Sequence, residues 1–205
     1  MIIYEKAKLT DISEISDVHI KCFEGYFLCK LGKDLLEKYY AEFYHESDLF
    51  VIAKDADTNK ILGFCMGYYY GSQARADFES KYKVQLAKKM FKLCLRFDKE
   101  TISKCFDKVF SKFKKAPEMP DYKADANLLS ICVLPECKGL KDESNNGSVA
   151  YNLVLEFEKV IKDAGSKNYT LWVKSTNDRA RAFYNKCGMY ALYEGNGEVK
   201  YAKEF

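Results

Sequence analysis

The sequence predicts a mixed α/β fold, in which a mostly antiparallel central sheet is flanked by helices and carries a helical-hairpin insertion. Short runs of strand-forming residues alternate with longer stretches whose apolar residues recur every three or four positions. Two pairs of strand runs, 49–53 with 61–70 and 190–193 with 199–205, are joined by short polar or glycine-containing segments, which predicts antiparallel hairpins. The segment 72–123 has only helical spacing, so we expect it to form the insertion.

The N-terminal part of the chain predicts one strand followed by two helices. Ile2–Lys6 alternates apolar and polar side chains, as a half-buried strand does. Residues 11–22 predict a helix behind a capping Thr10 or Asp11. The stripe on one side of this helix comprises Ile12, Ile15, Val18, His19 and Cys22. Residues 34–43 repeat the spacing and predict the second helix.

The insertion 72–123 is basic and amphipathic. It contains fourteen Lys or Arg against seven Asp or Glu, whereas the whole chain has a net charge of only +3. Helices are predicted over 82–97 and 102–113, with Pro117 and Pro120 in an exit loop. Two interpretations remain open, a solvated helix face packed on the sheet and a wall that attracts an anionic ligand. Interspersed acidic residues and wide apolar faces favour a core or homodimer contact over binding to nucleic acid or membrane.

A strand, a polar loop and a helix follow the insertion. Residues 127–133 form an apolar strand that must end before Pro135, because proline cannot continue a ladder. The loop carries Gly139 and Gly147, and apolar residues then keep helical spacing over 149–161, with Gly165 as the stop. The N-terminus of such a helix offers unpaired N–H groups and a partial positive charge, so the unit is typical of an anion site.

The segment 169–189 predicts a strand, a cap, a helix and a glycine stop. Residues 169–173 are an apolar run bounded by polar residues. The helix-capping types that follow are Ser175, Thr176 and Asn177. The buried helix face comprises Ala180, Phe183, Tyr184 and Cys187, and Gly188 follows as the stop. We therefore expect Asn177 and Tyr184 to face the same groove beside the strand.

Both segments also match longer patterns. The later one follows N-x-x-A-x-x-F-Y-x-x-x-G-hydrophobic through Asn177, Ala180, Phe183, Tyr184, Gly188 and Met189. The earlier one follows V-x-P-x-x-R-G-x-G-x-G/A-x-x-L through Val133, Pro135, Lys138, Gly139, Ala150 and Leu153. Lys138 replaces the usual Arg or Gln, 140–146 is inserted, and Ser148 stands where glycine is usual. These patterns resemble the GNAT N-acetyltransferase superfamily, and the resemblance covers nearly the whole chain except 72–123.

The resemblance implies a GNAT-type acyltransferase that moves an acetyl group from acetyl-coenzyme A to an amine acceptor by direct attack in a ternary complex. It implies that Tyr184 protonates the leaving thiolate, which a tyrosine with a pKa of ~10 does without prior ionisation. A strand bulge near 131–133 is expected to free an oxyanion-binding N–H. Asn177 is implied to hold the pantetheine arm. The implied coenzyme-binding set is Ile131, Cys132, Val133, Lys138, Gly139, Gly147, Ser148, Val149, Ala150, Asn177, Ala180 and Phe183.

No general base is evident from the sequence. The candidates are Glu24, in the loop after the first helix, and one of Tyr68, Tyr69 and Tyr70 acting through water. A nucleophilic Cys132 or Cys137 would give a ping-pong acyl-enzyme instead, but no histidine lies nearby in sequence to activate either thiol.

The segment 22–31, followed by Gly32 and Lys33, more weakly resembles a bacterial GNAT subgroup associated with surface-polysaccharide biosynthesis. This favours an amino sugar as the small-molecule acceptor, ahead of a polyamine, an antibiotic or a protein amine. The aromatic residues Phe23, Tyr26 and Phe27 would either stack on the acceptor or close the core. The altered phosphate loop also leaves open a degenerate acyl-coenzyme A sensor or scaffold with little catalysis.

Length and composition bound the remaining possibilities. The 205 residues fit a single domain with the insertion inside it. Eight cysteines lack C-x-x-C spacing and only two histidines are present, so we expect no metal site and reduced thiols. The first residues do not resemble a signal peptide, and the longest apolar run is too short to span a bilayer. The sequence therefore predicts a cytoplasmic protein.

Overall fold

The computed structural model describes residues 1–47, 49–96, 122–142 and 147–205, in which strands and helices alternate as predicted. The strands are β1 (Ile2–Lys6), β2 (Phe50–Asp55), β3 (Ile61–Tyr69), β4 (Ala126–Val133), β5 (Lys141–Asp142), β6 (Gly147–Ser148), β7 (Asn168–Lys174), β8 (Tyr190–Gly195) and β9 (Glu198–Glu204). The helices are α1 (Ile12–Cys22), α2 (Phe27–Leu31), α3 (Lys33–Ser47), α4 (Ala74–Lys81), α5 (Lys83–Leu95), α6 (Val149–Asp163) and α7 (Asp178–Lys186).

Seven strands form the central sheet in the order β1-β2-β3-β4-β7-β9-β8. All neighbouring strands are antiparallel except β4 and β7, which run parallel. The predicted mixed, mostly antiparallel sheet is therefore confirmed. The short strands β5 and β6 form a separate antiparallel ladder beside the N-terminus of α6.

Helices cover both faces of the sheet, and β2 shows how the sequence allows this. Val51 and Ala53 are buried in the cluster that contains α6, whereas Phe50 and Ile52 are buried in the cluster that contains α1 and α3. Successive side chains of a strand point to opposite faces, so a strand covered on both faces must be apolar at every position. This explains why β2 is apolar at every position from Phe50 to Ala53 and does not alternate there.

Two local features confirm predictions from the sequence. The β8–β9 hairpin turns at Asn196 and Gly197, whose φ angles are 54° and 78°. Left-handed φ at both turn residues matches the right-handed twist of the strands and suits asparagine followed by glycine. At the end of α7, Gly188 has a φ of 78°, as expected of a glycine that stops a helix.

Other details differ from the prediction. Asp11 is the N-cap residue of α1, as one of the two predicted candidates, but its side chain makes no capping hydrogen bond, because a short 3₁₀ turn (Leu9–Asp11) precedes the helix and the Asp11 carboxylate accepts from the Lys8 backbone N–H at 2.8 Å. The helix α2 was not predicted. α3 is longer than the predicted 34–43, because its N-terminal and C-terminal turns lack a strong apolar period.

The insertion agrees with the sequence only in part. α5 lies within the predicted helix 82–97, and α4 before it was not predicted, since Ala74 and Phe78 are its only buried residues. The second predicted helix, over 102–113, and the proline-containing exit loop lie outside the described residues.

An ion pair between the buried Glu158 and the partly exposed Lys203 joins α6 to β9. The Lys203 ammonium donates to both carboxylate oxygens of Glu158, at 2.6 and 2.8 Å, and to the Cys187 carbonyl at 2.8 Å. The Tyr169 hydroxyl donates to the same carboxylate at 2.7 Å. The Glu158 carboxylate is therefore neutralised and multiply hydrogen-bonded, as burial of a charge requires.

Candidate active site

The central sheet has an opening between its two parallel strands, β4 and β7, which pair at one end and separate beyond it. β4 and β7 pair only at Ala126 with Tyr169 and at Asn127 with Thr170, and both strands continue beyond this point without pairing to each other. A cavity of about 1330 Å³ occupies the opening, and it is lined there by 128–131 of β4 and 171–174 of β7. The two strands therefore present backbone edges to a cavity in the middle of the sheet.

A β-bulge interrupts β4 at the cavity. Ser130 pairs with Met66 and Leu128 pairs with Gly67, so Leu129 is the extra residue of the bulge. The sequence placed this bulge at 131–133, which is wrong by two residues, because a hydrophobic run carries no mark of the bulged position.

Ladder alternation determines which β4 amides face the opening. The Leu134 N–H donates to the Leu62 carbonyl of β3 at 2.8 Å, whereas the Val133 carbonyl accepts from the Cys22 thiol at 3.3 Å. Because successive residues of a strand direct their backbone groups to opposite sides, the N–H groups of Ile131 and Val133 face away from β3. The predicted oxyanion donors are thus on the side of the opening, although the bulge itself lies earlier.

Tyr184 lines the cavity from α7. Its side chain is only 8% exposed and contacts the rings of Phe183 and Tyr201, with centroid distances of 5.5 and 5.9 Å. Burial raises the pKa of Tyr184 well above its usual range, so the phenol remains protonated at neutral pH. Tyr184 is therefore a hydrogen-bond donor and not a base.

Asn177 and Ala180 line the same cavity as Tyr184, as the spacing predicted. Asn177 also caps α7, because its Oδ1 accepts from the Ala180 N–H at 3.2 Å. This bond fixes the side chain and leaves its amide NH₂ as the group available to a ligand. Phe183 lies on the neighbouring face of α7, packs against the core that contains α6, and does not line the cavity.

The predicted phosphate loop lies apart from the cavity lining. Lys138 and Gly139 are exposed after the 3₁₀ turn Pro135–Cys137, and Gly139 has a φ of 84°. Ser148 caps α6, with its hydroxyl oxygen accepting from the Tyr151 N–H at 3.3 Å. Lys138, Gly139 and the first residues of α6 thus lie outside the lining of the large cavity.

The remaining members of the predicted coenzyme-binding set sit in and around that helix end. Gly147 is half-buried in β6, and the Val149 N–H donates to the Leu140 carbonyl at 3.4 Å. Ala150 is half-buried and packs against the core. Of the residues predicted on β4, Ile131 lines the cavity, while Cys132 and Val133 do not.

Several alternative catalytic residues lose support from the structure. Burial raises the pKa of Cys132 and of Cys137, which makes both thiols poorer nucleophiles. Glu24 is exposed, and neither it nor Tyr68, Tyr69 or Tyr70 is among the residues that line the cavity. None of these predicted candidates for a base therefore lies in the wall of the cavity.

The other half of the cavity is walled by helices. Phe23, Tyr26 and Phe27 line it from the α1–α2 segment, so they face the cavity rather than closing a dry core. Phe78 of α4 and Met90 of α5 line it from the insertion. Charged groups also reach it from these two helices, and they are Arg75, Glu79 and Lys83.

His19, the buried histidine of α1, was not predicted as a site residue. Its side chain is 4% exposed and lines the cavity, and the Tyr40 hydroxyl forms a hydrogen bond with its Nδ1. Desolvation lowers the pKa of His19 to about 4, so the ring is neutral at physiological pH. A histidine on an otherwise apolar helical stripe was the available signal, but its spacing alone could not separate a core position from a site.

Within the described parts of the chain, no cluster of His, Cys, Asp or Glu has the arrangement of a metal site. All seven cysteines that the structure describes are free thiols. Of the helices in the described ranges, none is long and apolar enough to cross a membrane.

No protein-family model matches the sequence, and a search of curated proteins returns no match. The fold, in contrast, is similar to many solved structures. PH1933 from Pyrococcus horikoshii OT3 has a TM-score of 0.63 at 17% identity, with coverage of 100% of this chain and 99% of that one. The PaiA N-acetyltransferase from Thermoplasma acidophilum, solved in complex with coenzyme A, has a TM-score of 0.54 at 17% identity, with coverage of 100% and 99%.

A GNAT-family acetyltransferase from Listeria monocytogenes 4b F2365 has a TM-score of 0.54 at 12% identity, with coverage of 100% of this chain and 95% of that one. At such low identity the likeness shows the fold and not the activity. The described part of the chain therefore has the GNAT acetyltransferase fold, and the expectation drawn from its two sequence patterns is confirmed at that level.

Proposed function

We propose that this protein is an N-acetyltransferase, which moves an acetyl group from acetyl-coenzyme A to an amine by direct attack in a ternary complex. The observation that carries the proposal is the opening between β4 and β7, with a bulged strand on one side and Tyr184 in its wall. Unpaired strand edges accept an extended ligand through backbone hydrogen bonds. The amide-containing pantetheine arm of acetyl-coenzyme A is such a ligand.

The residues around the opening suit the parts of acetyl-coenzyme A in different ways. Asn177 and Ala180 line the cavity where the pantetheine arm would lie. The N-terminus of α6 and the exposed Lys138 would hold the pyrophosphate through backbone N–H groups and charge. The N–H group of Ile131, the member of 131–133 that lines the cavity, would stabilise negative charge on the thioester oxygen during attack.

Tyr184 would donate a hydrogen bond to the departing sulfur. Because its pKa lies well above the ~8.5 of a thiol, the phenol keeps its proton once the thiolate has formed. Its contribution is therefore stabilisation of the developing thiolate in a desolvated site. This proposal revises the expectation that Tyr184 protonates the thiolate, because a phenol with a raised pKa is a weaker acid than a thiol, and it assigns that proton to another group.

The proposed acceptor is an amine, and an amino sugar is the example that the weak resemblance of 22–31 favours. Aromatic side chains of this segment line the cavity, and aromatic faces stack on flat or apolar ligand surfaces. A small polyamine remains the main competing small-molecule acceptor.

A second candidate function is an acyl-coenzyme A sensor or scaffold with little catalysis. One observation favours it, since the Val149 N–H at the start of α6 already donates to the Leu140 carbonyl of the inserted loop. A helix end engaged in this way offers fewer donors to a pyrophosphate.

Thermal unfolding with and without acetyl-coenzyme A tests the coenzyme site, and release of free coenzyme A thiol in the presence of amines tests catalysis. Ligand at 100 times its dissociation constant adds about 2.7 kcal/mol to the free energy of unfolding. Stabilisation together with amine-dependent thiol release supports the transferase. Stabilisation without thiol release supports the sensor, and the absence of stabilisation at millimolar ligand contradicts both.

A further inference from the structure

The cavity is larger than one ligand arm requires. Sites that enclose a whole drug-sized ligand measure about 300–1,000 Å³, whereas this cavity measures about 1330 Å³. It extends from the strand edges of β4 and β7 to the side chains of α1, α2, α4 and α5. If the strand side holds the acyl donor, the helical side is the space left for the acceptor.

His19 has the features of a functional group in this helical half. Its Nε2 is buried and has no hydrogen-bond partner among the described residues, although the residue lines the cavity. A buried polar atom without a partner is rare, because desolvation of such a group costs about 1–3 kcal/mol. A ligand N–H in the cavity would satisfy it.

The His19 ring is held in one orientation. Its Nδ1 lies 2.5 Å from the Tyr40 hydroxyl of α3, and its ring packs against Phe23 and Phe64 with centroid distances of 4.7 and 6.4 Å. The Tyr40 hydroxyl also lies near the side chain of Ser130, which is next to the bulge of β4. His19 is thus hydrogen-bonded to Tyr40, and Tyr40 is a neighbour of the strand where the thioester would sit.

The surroundings of His19 are apolar. Phe27, Leu28 and Leu31 of α2 and Leu86 and Met90 of α5 line the helical half of the cavity. The charged side chains that reach the cavity there come from α4 and the first turn of α5, and two of them, Arg75 and Glu79, already form an ion pair at 3.3 Å. An acceptor held against the α2 and α5 side chains would bury apolar surface.

We propose that the helical half of the cavity is the acceptor subsite, that it takes a primary amine carried on an apolar body, and that Nε2 of His19 accepts the proton of this amine. The inference rests on the proposed transferase function and names its base. It also replaces the amino sugar favoured by the resemblance of 22–31 with an amine on an apolar body, because the side chains of α2 and α5 that line this half are mainly apolar. In this arrangement Nδ1–H of His19 donates to the Tyr40 hydroxyl oxygen, which leaves the lone pair of the buried Nε2 without a partner in the protein and available to an amine bound in the cavity. Tyr40 is a positioning residue.

The proposed step conserves atoms and charge. The neutral amine nitrogen attacks the thioester carbon, so that a C–N bond forms, the C–S bond breaks and the electron pair leaves with sulfur. The nitrogen carries a positive charge after attack, and Nε2 of His19 takes its proton. The imidazolium then releases this proton through solvent to the thiolate, which becomes the free thiol, and the ring returns to its neutral form. A ring whose pKa lies near 4 gives the proton up readily.

The tautomer of His19 can be measured without any substrate. The chain has two histidines, and His45 is exposed on α3, so ¹⁵N spectra of the protein and of the His45→Ala variant assign both rings. We expect Nε2 of His19 to be unprotonated and Nδ1 to carry hydrogen at pH 7. A ring protonated at Nε2 would overturn the proposal, because it could not accept a proton there.

Variants test the chemical role. With acetyl-coenzyme A and 2-phenylethylamine as the probe amine, His19→Ala is expected to lower kcat by about 10²–10⁴-fold, and added imidazole is expected to restore at least part of it. Affinity for acetyl-coenzyme A should not change, and His45→Ala should behave like the wild type. Unchanged kcat would overturn the proposal, as would a loss that imidazole does not reverse in folded protein. If His19→Ala does not fold, His19→Gln and the tautomer measurement replace it.

A panel of amines tests the acceptor class. We expect kcat/KM for 2-phenylethylamine to exceed that for spermidine and for glucosamine by about tenfold or more, the selectivity that apolar contacts provide. Preference for glucosamine or spermidine would overturn the apolar class. Stabilisation by acetyl-coenzyme A without turnover of any of these amines would overturn the acceptor assignment and leave coenzyme binding intact. The absence of stabilisation would instead contradict the proposed function itself.

Discussion

Asn127 and Thr170 form the last pair of the parallel ladder between β4 and β7, and the Thr170 hydroxyl donates to Oδ1 of Asn127 across that pair at 2.6 Å. Thr170 is completely buried. The bond therefore closes the point at which the sheet divides, directly before the two strands separate around the cavity.

Replacing Thr170 tests this closure. Thr170→Val keeps the shape but leaves the Asn127 carbonyl oxygen without its donor, so we expect the free energy of unfolding to fall by about 1–3 kcal/mol. Thr170→Ser keeps the hydroxyl and is the matched control, with a smaller loss from the missing methyl group. Chemical denaturation measures both, and equal losses would show that packing and not the hydrogen bond is responsible.

Tyr184→Phe removes the proposed donor to the leaving sulfur. We expect kcat to fall by about 10²-fold or more, while the dissociation constant of acetyl-coenzyme A changes by less than about twofold. Because burial raises the pKa of Tyr184, the wild type should show no alkaline loss of activity from this group below pH ~10. Tyr190→Phe removes an exposed hydroxyl bonded to Glu204 and should leave the kinetics unchanged. Undiminished turnover of Tyr184→Phe would exclude the proposed role.

Lys138→Ala tests the predicted phosphate contact. One exposed charge on a phosphate contributes a modest amount, so we expect about three- to tenfold weaker binding of acetyl-coenzyme A, with the difference shrinking at high salt. Acetyl-pantetheine lacks the pyrophosphate, and its binding should not change. Lys159→Ala, an exposed lysine on α6, is the control. If Lys138→Ala weakens the binding of both ligands equally, Lys138 does not contact the phosphates.

The ion pair of Glu158 and Lys203 provides a test of stability. Lys203→Met leaves the Glu158 carboxylate buried without its cation, and we expect a loss of about 3–5 kcal/mol in the free energy of unfolding. Glu158→Leu combined with Lys203→Met removes both charges and should recover much of this loss. Calorimetry or urea unfolding compares the three proteins. If the double variant is no more stable than Lys203→Met alone, the loss in the free energy of unfolding does not come from the ion pair.

His19 makes the stability depend on pH in a defined window. Its pKa is about 4 in the folded protein and near 6.5 when unfolded, so the unfolded chain binds the extra proton between these values. The stability associated with the neutral ring is complete above pH 6.5 and declines as the pH falls towards 4, by about 3 kcal/mol in total. His19→Gln should reduce the dependence of the free energy of unfolding on pH between 6.5 and 4 relative to the wild type, whereas His45→Ala should not. The same pH dependence in all three proteins would contradict the lowered pKa of His19.

Much of the fold could be predicted because each strand and helix has its own period in the sequence. β1, β4, α6 and β7 lie within a residue or two of their predicted bounds, since apolar runs and glycine or proline stops delimit them. α2 and α4 were missed because short helices that bury one or two side chains leave almost no periodic signal.

The candidate site, like the fold, combines features that the sequence predicts with features that it does not. Asn177, Ala180 and Tyr184 share one helix, so spacing alone brings them to one cavity. The bulge at Leu129 and the link from His19 through Tyr40 to Ser130 depend on contacts between segments far apart in sequence. Local sequence patterns do not predict contacts between distant segments, so these features could be found only in the folded chain.

A sheet edge at the surface of a protein invites pairing with a second molecule, and natural sheets blunt their edges to avoid aggregation. Here β4 and β7 separate around a cavity in the middle of the sheet, beyond Asn127 and Thr170. Their unpaired edges face this cavity and are not the outer edges of the sheet, which belong to β1 and β8. The molecule can thus keep two rows of backbone donors and acceptors available to a small ligand without becoming a template for its own polymerisation.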